Sequence, residues 1–443
     1  MAGKFTKNAL ITFATRALTV AFGAGISIII ARVLGPEGKG VYSLAILLPG
    51  LLVTFTNLGI NPATVFFVAK NRYPTKEILG NNIILTILIS ALAILIGLII
   101  IFFFSNQLFP GVDKEYLLLA LCLIPLPLFF DFISHILIGL QKIATYNIVY
   151  FLQSLLFLIL VGVFLLGLQF GITAAVLAQV IAYFLAGIAL FFFTEKETAG
   201  IYLKPNKTYL KDASFYGLKV HLGTVISFLH YRACLFLINI FLNPSAVGLF
   251  SVAVGIAEGM WLISESVGTV LFPKIASETD PEGLKRFTPL VCRNVLLVAL
   301  IVAVLLIVFS HWLIVLLYSD SFLESVQPFR ILLIGALAVC GHGVLVNDLM
   351  ARGKPILVSY IAGIPLILNI ILNVLWVPRW GITGAAWATT VSYSIMFIIT
   401  VLVYSKISGN KIIDIILPHK SDLQYYQNLF GRLKSLRTGG RKT

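Results

Sequence analysis

Charged side chains are scarce in this chain of 443 residues: only 11% are Asp, Glu, Lys or Arg, whereas 59% are hydrophobic. A soluble globular domain carries about 25% charged residues, and almost all of them lie on its water-exposed surface. The mean hydropathy of +1.01 points the same way. The composition excludes a soluble globule and predicts an integral membrane protein.

Cysteines are also few, and no CxxC pair is present. Cys122, Cys234, Cys292 and Cys340 fall within or beside apolar stretches, so we interpret them as packing residues and expect neither a disulfide framework nor a metal site. The P-loop pattern GxxxxGK[ST] is absent as well. The chain therefore hydrolyses no nucleotide by that route, and we expect no cofactor.

Long apolar runs are what the sequence does have. An α-helix needs about 20 apolar residues to cross ~30 Å of hydrocarbon, and roughly twelve runs qualify, which predicts an all-α polytopic membrane protein. The predicted spans cover residues 10–33, 41–69, 78–104, 116–140, 146–168, 172–194, 215–242, 247–273, 287–309, 328–350, 356–377 and 382–404.

The basic charges are distributed unevenly between the two sides of these spans. Most of the 32 Lys and Arg fall on the side that carries the N-terminus, and the other side holds only Arg32, Lys39, Lys114 and Arg379. By the positive-inside rule both termini are cytoplasmic, in a bacterial or archaeal cytoplasmic membrane. The formal charge of +14 is thus mainly a consequence of topology, and we expect no nucleic-acid partner.

Two segments recur at nearly one separation. LGPEGKGVYSLA at 34–45 resembles LNPSAVGLFSVA at 242–253, and GITAAVLAQVIAY at 171–183 resembles GITGAAWATTVSY at 381–393. The pattern predicts a six-helix unit that is duplicated, with two lobes related by an axis along the membrane normal. We expect an N-terminal lobe at 1–194, a cytoplasmic linker at 195–214, a C-terminal lobe at 215–404 and a basic cytoplasmic tail at 405–443.

Two charged residues lie deep in neighbouring spans. Arg232 is 242 − 232 = 10 residues from the outer end of the seventh span, and Glu258 is 258 − 247 = 11 residues into the eighth, so both lie ~15 Å deep at 1.5 Å per residue. The depth predicts an Arg232–Glu258 pair, which is either a structural ion pair or part of a polar cavity. In a cavity Arg232, with His230, would offer donors to a pyrophosphate, and Glu258 could bind a coupling ion.

Other polar residues within the spans have two interpretations each. Arg16 faces the same cavity or extends to the cytoplasmic interface. Glu265 lies seven residues after Glu258, and by the repeat it corresponds to Asn57; it binds H⁺ or Na⁺, or it pairs with a neighbouring helix.

Asp131 and His135 are spaced four apart on the fourth span. That spacing allows a hydrogen bond between their side chains, as a proton relay or as a structural pair.

The first repeated turn carries a family resemblance. Residues 32–38, RVLGPEG, followed by Gly40, Val41 and Tyr42, resemble the polysaccharide flippase branch of the multidrug/oligosaccharidyl-lipid/polysaccharide exporter superfamily. LGI at 58–60 and LLYSDSFLESVQPFRIL at 316–332 extend the likeness over about residues 5–404. Family members often carry an acidic residue where this chain has Asn57.

The resemblance implies a twelve-helix transporter that moves a lipid-linked oligosaccharide, usually on undecaprenyl pyrophosphate, to the outer leaflet by alternating access. It implies H⁺ or Na⁺ as the driving ion, bilayer lipids around the protein, and a polysaccharide polymerase and glycosyltransferases as functional partners. The branch that flips the peptidoglycan precursor usually has two more C-terminal helices, whereas this chain has a basic tail.

Two other functions stay open at this point. A multidrug or cation antiporter of the same superfamily would prefer acidic and aromatic cavity groups over arginine. A membrane-embedded glycan polymerase or ligase would need a sizeable outer loop with catalytic groups, and the predicted outer loops hold few acidic residues.

Overall fold

A computed structural model describes residues 2–277 and 281–417, and no β-strand occurs within those ranges. The α-helices are α1 (Ala2–Thr56), α2 (Ile60–Ala69), α3 (Thr75–Ile99), α4 (Ser105–Leu108), α5 (Lys114–Ala120), α6 (Pro125–Gly139), α7 (Ile143–Val161), α8 (Gly171–Glu197), α9 (Lys207–Phe241), α10 (Pro244–Glu258), α11 (Trp261–Ser277), α12 (Pro281–Tyr318), α13 (Val326–Ala351), α14 (Pro355–Ser408) and α15 (Ile412–Ile416). Short π-helical segments, Ile100–Phe104 and Gly162–Gly167, continue α3 and α7. The tail beyond residue 417, predicted to be basic and cytoplasmic, lies outside the described residues.

Within the described residues, ten segments are long and apolar enough to cross a membrane. Two of them, Ala17–Thr56 and Leu357–Ser408, have 40 and 52 residues, about twice the length that one crossing needs. Each is broken at a glycine with positive φ, 68° at Gly35 and 58° at Gly381, a conformation that a side chain disfavours. The ten segments therefore make the twelve crossings that the sequence predicts, and the all-α membrane fold is confirmed.

Three predicted spans are interrupted inside the apolar region. The second is broken between α1 and α2, where Leu58 and Gly59 both have positive φ. The fourth passes through a 3₁₀ turn, Leu121–Leu123, before Pro125 begins α6. The eighth is broken between α10 and α11 at Gly259 and Met260. Continuous hydrophobicity does not reveal such breaks, because an apolar run looks the same whether the helix bends or not.

The two repeated LGPEG-like turns pack directly against each other. An added Cβ at Gly40 would lie 1.7 Å from the Pro244 carbonyl oxygen, and one at Gly248 would lie 1.9 Å from the Pro36 carbonyl oxygen. Three residues further along each helix, the hydroxyl oxygens of Ser43 and Ser251 lie 3.5 Å apart. These contacts are reciprocal between the repeat positions, as a two-fold relation would require, while the duplication and the lobe boundaries remain predictions. We call the membrane face with these turns the Gly35 side.

A second contact joins the two halves of the chain at the opposite face, which we call the Tyr73 side. An added Cβ at Gly59 would lie 2.3 Å from the Gly217 carbonyl oxygen, and the rings of Phe66 and Tyr216 stack at 4.7 Å. Asp212 on α9 accepts a hydrogen bond from Tyr73 at 2.8 Å and pairs with Arg72 at 2.7 Å.

The segment before α9 is fixed to the start of α3. Asn206 caps α9 by accepting hydrogen bonds from the backbone of Thr208 and Tyr209, each at 3.1 Å, and it donates to Glu77 at 3.0 Å. The backbone N–H of Asn206 donates to the side-chain oxygen of Asn81 at 2.9 Å. Only residues 198–206 of the predicted 195–214 linker lie outside helices, and this segment is held to the first half of the chain by several polar contacts.

Tyr209 gives a stability test of the Tyr73-side contact. Its buried hydroxyl donates to Asn82 Oδ1 at 2.9 Å, and Asn82 in turn donates to Thr64 and to the Phe132 carbonyl, both at 3.0 Å. Tyr209→Phe leaves that amide oxygen without this donor, so we expect a loss of about 1–3 kcal/mol in thermal unfolding of the detergent-solubilised protein. Tyr216 lies seven residues, about two turns, further along α9. Tyr216→Phe keeps the stacked ring and should change stability by less than about 0.5 kcal/mol. Equal effects of the two variants would contradict the assignment.

Candidate functional site

A cavity of about 290 Å³ lies between α1, α9 and α10. Along each helix its lining residues fall beyond the Gly40–Gly248 contact, and on α1 and α9 they stop before the Gly59–Gly217 contact. The cavity therefore lies within the membrane-spanning part, between the two places where the halves of the chain touch. Its lining residues are Ser43, Ile46, Leu47, Gly50, Phe228, Arg232, Leu235, Ser251, Val254, Gly255 and Glu258.

Arg232 and Glu258 form the ion pair that the sequence predicts. The two terminal nitrogens of Arg232 donate to the two carboxylate oxygens of Glu258 at 3.0 and 3.2 Å, a bidentate arrangement suited to a planar guanidinium. The Arg232 side chain is 37% exposed and that of Glu258 is 19% exposed. Arginine is therefore the half of the pair that is more open to the cavity.

The end of α10 explains why Glu258 needs a partner. Glu258 is the last residue of that helix, where the aligned peptide dipoles place partial negative charge. An ionised carboxylate is unfavourable at such a position and within an apolar region, and Arg232 compensates for both effects.

Two hydroxyls complete the polar part of the cavity, and sequence reasoning did not assign them to a site. Ser43 donates to the Lys39 carbonyl and Ser251 to the Gly248 carbonyl, each at 2.8 Å. Their oxygens keep lone pairs that can accept a hydrogen bond from a ligand. The signal was present in the sequence, because the two serines occupy matching positions in the repeated turns.

Aromatic side chains lie on the far side of Glu258. Tyr231 contacts Trp261 with ring centroids 4.8 Å apart and Tyr393 at 5.9 Å. The space among them, with Glu258 at its wall, is only about 10 Å³, enough for about one water molecule. Glu258 therefore lies between the cavity and this aromatic cluster, to which α14 contributes Tyr393.

His230 is not among the residues that line the cavity, and its role in binding a head group stays a prediction. It is buried, and its Nε2 lies 2.6 Å from the hydroxyl of Ser392. That hydroxyl donates its own proton to the Pro365 carbonyl at 2.8 Å, so the imidazole Nε2–H is the donor to Ser392. Two positions along a helix correspond to a rotation of about 200°, which directs His230 toward α14.

Asp131 and His135 form a different contact from the predicted one. The imidazole Nδ1 of His135 donates to the backbone carbonyl of Asp131 at 2.6 Å, whereas the Asp131 carboxylate accepts from Tyr150 at 3.0 Å. Neither residue lines the cavity. The side-chain hydrogen bond expected from their spacing is absent among the described contacts, because the helix's own carbonyl is nearer to the ring.

Asn57 and Glu265 are not among the residues that line the cavity. Asn57 occupies the break between α1 and α2, and its backbone amide donates to the Val53 carbonyl at 2.9 Å. Glu265 is exposed on α11, and the break at Gly259 and Met260 removes the simple seven-residue relation to Glu258. The side chain of Arg16 lies outside the described residues. Within the described ranges no group of three His, Cys, Asp or Glu could hold a metal ion.

Comparison with known proteins assigns the family. A family model described as polysaccharide biosynthesis protein matches residues 5–278, which is more than half of the chain. A putative O-antigen transporter of Shigella flexneri is 23% identical over 386 residues, with 84% of this chain and 90% of that protein covered.

Solved structures show the same fold. Lipid II flippase MurJ in an inward-closed conformation has a TM-score of 0.76 at 16% identity, with 93% of this chain and 89% of MurJ covered. An inward-facing multidrug resistance transporter of the MATE family has a TM-score of 0.72 at 16% identity, with 90% and 98% covered. The chain therefore belongs to the polysaccharide biosynthesis protein family, and it shares its fold with a transporter of the multidrug/oligosaccharidyl-lipid/polysaccharide exporter superfamily.

Proposed function

We propose that this protein moves an oligosaccharide linked to undecaprenyl pyrophosphate from the inner to the outer leaflet of a bacterial or archaeal cytoplasmic membrane, with both termini in the cytoplasm. The observation that supports this proposal best is Arg232, a guanidinium that opens into a cavity at membrane depth. A charge in that region costs a few kcal/mol even on mild scales, so its presence indicates a ligand or a partner of opposite charge.

The chemistry of the cavity fits the head group of such a lipid. Guanidinium N–H groups donate in pairs to phosphate oxygens, and Ser43 and Ser251 offer acceptors to sugar hydroxyls. The remaining lining is mainly apolar, as in most ligand pockets, where a few polar groups fix orientation. The isoprenyl chain would stay in the surrounding bilayer.

Alternating access has a simple basis in this architecture. The Gly40–Gly248 contact joins the two halves of the chain on the Gly35 side, and the Gly59–Gly217 contact joins them on the Tyr73 side. The cavity lies between these two contacts. Opening one contact while the other holds would expose the cavity to one face at a time. An ion gradient, of H⁺ or Na⁺, would drive the cycle.

The cation antiporter remains the second candidate because of one observation. Glu258 lies between Arg232 and the aromatic cluster of Tyr231, Trp261 and Tyr393. Acidic and aromatic groups suit an organic cation, and the fold is shared with a multidrug transporter. In this structure, however, the carboxylate is engaged by Arg232 in both of its oxygens.

A liposome assay separates the two functions. The purified protein is reconstituted with a fluorescent undecaprenyl-pyrophosphate-linked oligosaccharide, and translocation is measured by enzymatic removal of the sugar from the outer leaflet, with and without imposed H⁺ or Na⁺ gradients. We expect transfer above that of empty liposomes and a rate that responds to one of the gradients. Efflux of a cationic dye without transfer of the lipid-linked sugar would instead favour the antiporter.

A further inference from the structure

In the structure, Glu258 is the anionic partner of Arg232. Both terminal nitrogens of Arg232 are committed to Glu258, at 3.0 and 3.2 Å. Arg232 is also the only cationic residue among the described residues that line the cavity. A phosphate group that makes the bidentate contact to these two terminal nitrogens, the contact now made by Glu258, therefore displaces the carboxylate.

Among the described residues, no second cation faces the displaced carboxylate. The titratable groups near the Glu258 carboxylate are Tyr231 and Cys234 on α9 and Tyr393 on α14. Glu265 on α11 is close to Tyr231. None of these carries positive charge, and the facing residues of α1, Ser43 and Gly50, do not titrate.

An unpaired carboxylate at this place is costly for two reasons. Glu258 lies at the negative end of the α10 dipole, and removal of one partner from an ion pair at membrane depth leaves an uncompensated charge that costs up to several kcal/mol. Uptake of one proton removes this cost, since a neutral carboxylic acid needs no cation. The balance is simple: carboxylate plus H⁺ gives carboxylic acid, and the phosphate takes over the guanidinium.

We propose that Glu258 is a built-in competitor for Arg232, so that each anionic head group that enters the cavity displaces the carboxylate and is accompanied by one proton. The inference rests on the proposed binding of a pyrophosphate head group at Arg232. It identifies H⁺ as the coupled ion: acid on the loading side favours loading, and alkali on the release side favours release as the ion pair forms again.

Isothermal titration calorimetry of the protein in nanodiscs tests the exchange. The probe is farnesyl diphosphate esterified to N-acetylglucosamine, a diphosphate diester with no phosphate group that titrates near neutral pH. Titrations at one pH in two buffers of different ionisation enthalpy count the protons taken up per probe. We expect about one for the wild-type protein, with affinity falling up to about tenfold per unit rise in pH.

Glu258→Gln should bind the probe at least as tightly, with no proton uptake and no dependence on pH. Glu115→Gln removes a carboxylate from α5, far along the chain from the cavity, and should behave like the wild-type protein. Binding to the wild-type protein without proton uptake would overturn the exchange while leaving the proposed function in place, a result that does not depend on any variant folding. Absence of probe binding to both the wild-type protein and Glu258→Gln would instead contradict the proposed function.

Discussion

We expect Arg232→Met to abolish translocation of the lipid-linked oligosaccharide in liposomes, and Arg232→Met/Glu258→Leu to recover the stability of the fold without recovering translocation. The single change leaves Glu258, which is 19% exposed, without its partner, which should cost at most the roughly 3–5 kcal/mol expected for a fully buried pair. Apolar replacement of both members of a buried ion pair is often neutral or stabilising. The double variant therefore separates a failure to bind the head group from a failure to fold, when thermal unfolding and translocation are measured on the same preparations.

A matched control lies at the surface of the same half of the chain. Arg379 is exposed near the end of the first part of α14, and Arg379→Met should leave translocation within a factor of about two, as expected for a surface change of about 0.5 kcal/mol or less. Arg232→Lys keeps the charge but loses the bidentate geometry, so we expect an intermediate rate. Translocation at the wild-type rate by the double variant would contradict a role for Arg232 in head-group binding.

Gly40→Ala and Gly248→Ala should each disrupt the crossing of α1 and α10. The added Cβ would lie 1.7 Å from the Pro244 carbonyl oxygen in the first and 1.9 Å from the Pro36 carbonyl oxygen in the second, and backbone atoms cannot move away as a side-chain tip can. Overpacking of this kind costs about 1–3 kcal/mol or more. We expect a lowered unfolding temperature in detergent and a greater labelling rate, from the Gly35 side, of a cysteine introduced at Ser251.

Gly255→Ala is the control for the steric argument, because it lies seven residues after Gly248 on the same helix and its added Cβ would meet nothing within 4 Å. Alanine favours helix over glycine by about 1 kcal/mol, so Gly255→Ala should be as stable as the wild-type protein or slightly more so. If Gly40→Ala and Gly248→Ala also kept the wild-type unfolding temperature, the close backbone contact would be wrong.

The features that the sequence predicts well are those that depend on distance along a single helix. The twelve crossings follow from the length of the apolar runs, and the Arg232–Glu258 contact follows from two equal depths in consecutive spans. A depth fixes one coordinate, and a connection as short as Leu242–Pro244 fixes which helices are neighbours. Those two facts were sufficient to bring the ion pair together.

The features that the sequence does not reveal depend on rotation about a helix axis or on interruption of the helix. His230 is only two positions from Arg232, yet it points to Ser392 because rotation per residue is large. Glu265 loses its relation to Glu258 at the break after α10, and an apolar sequence carries no strong signal for a break at Gly259 and Met260. The cavity serines required knowledge of which faces of α1 and α10 meet.

The attachment of the 198–206 segment has a mechanical consequence for α9. Through Asn206, Asp212 and Tyr209 the start of α9 is attached to α3 and to the turn between α2 and α3. Its other end leads through a short turn into α10, and it packs with α14. The helix is thus clamped at both ends, to different halves of the chain. If the halves separate at the Tyr73 side while both attachments hold, α9 has to bend between them. Arg232 lies on that middle part of α9.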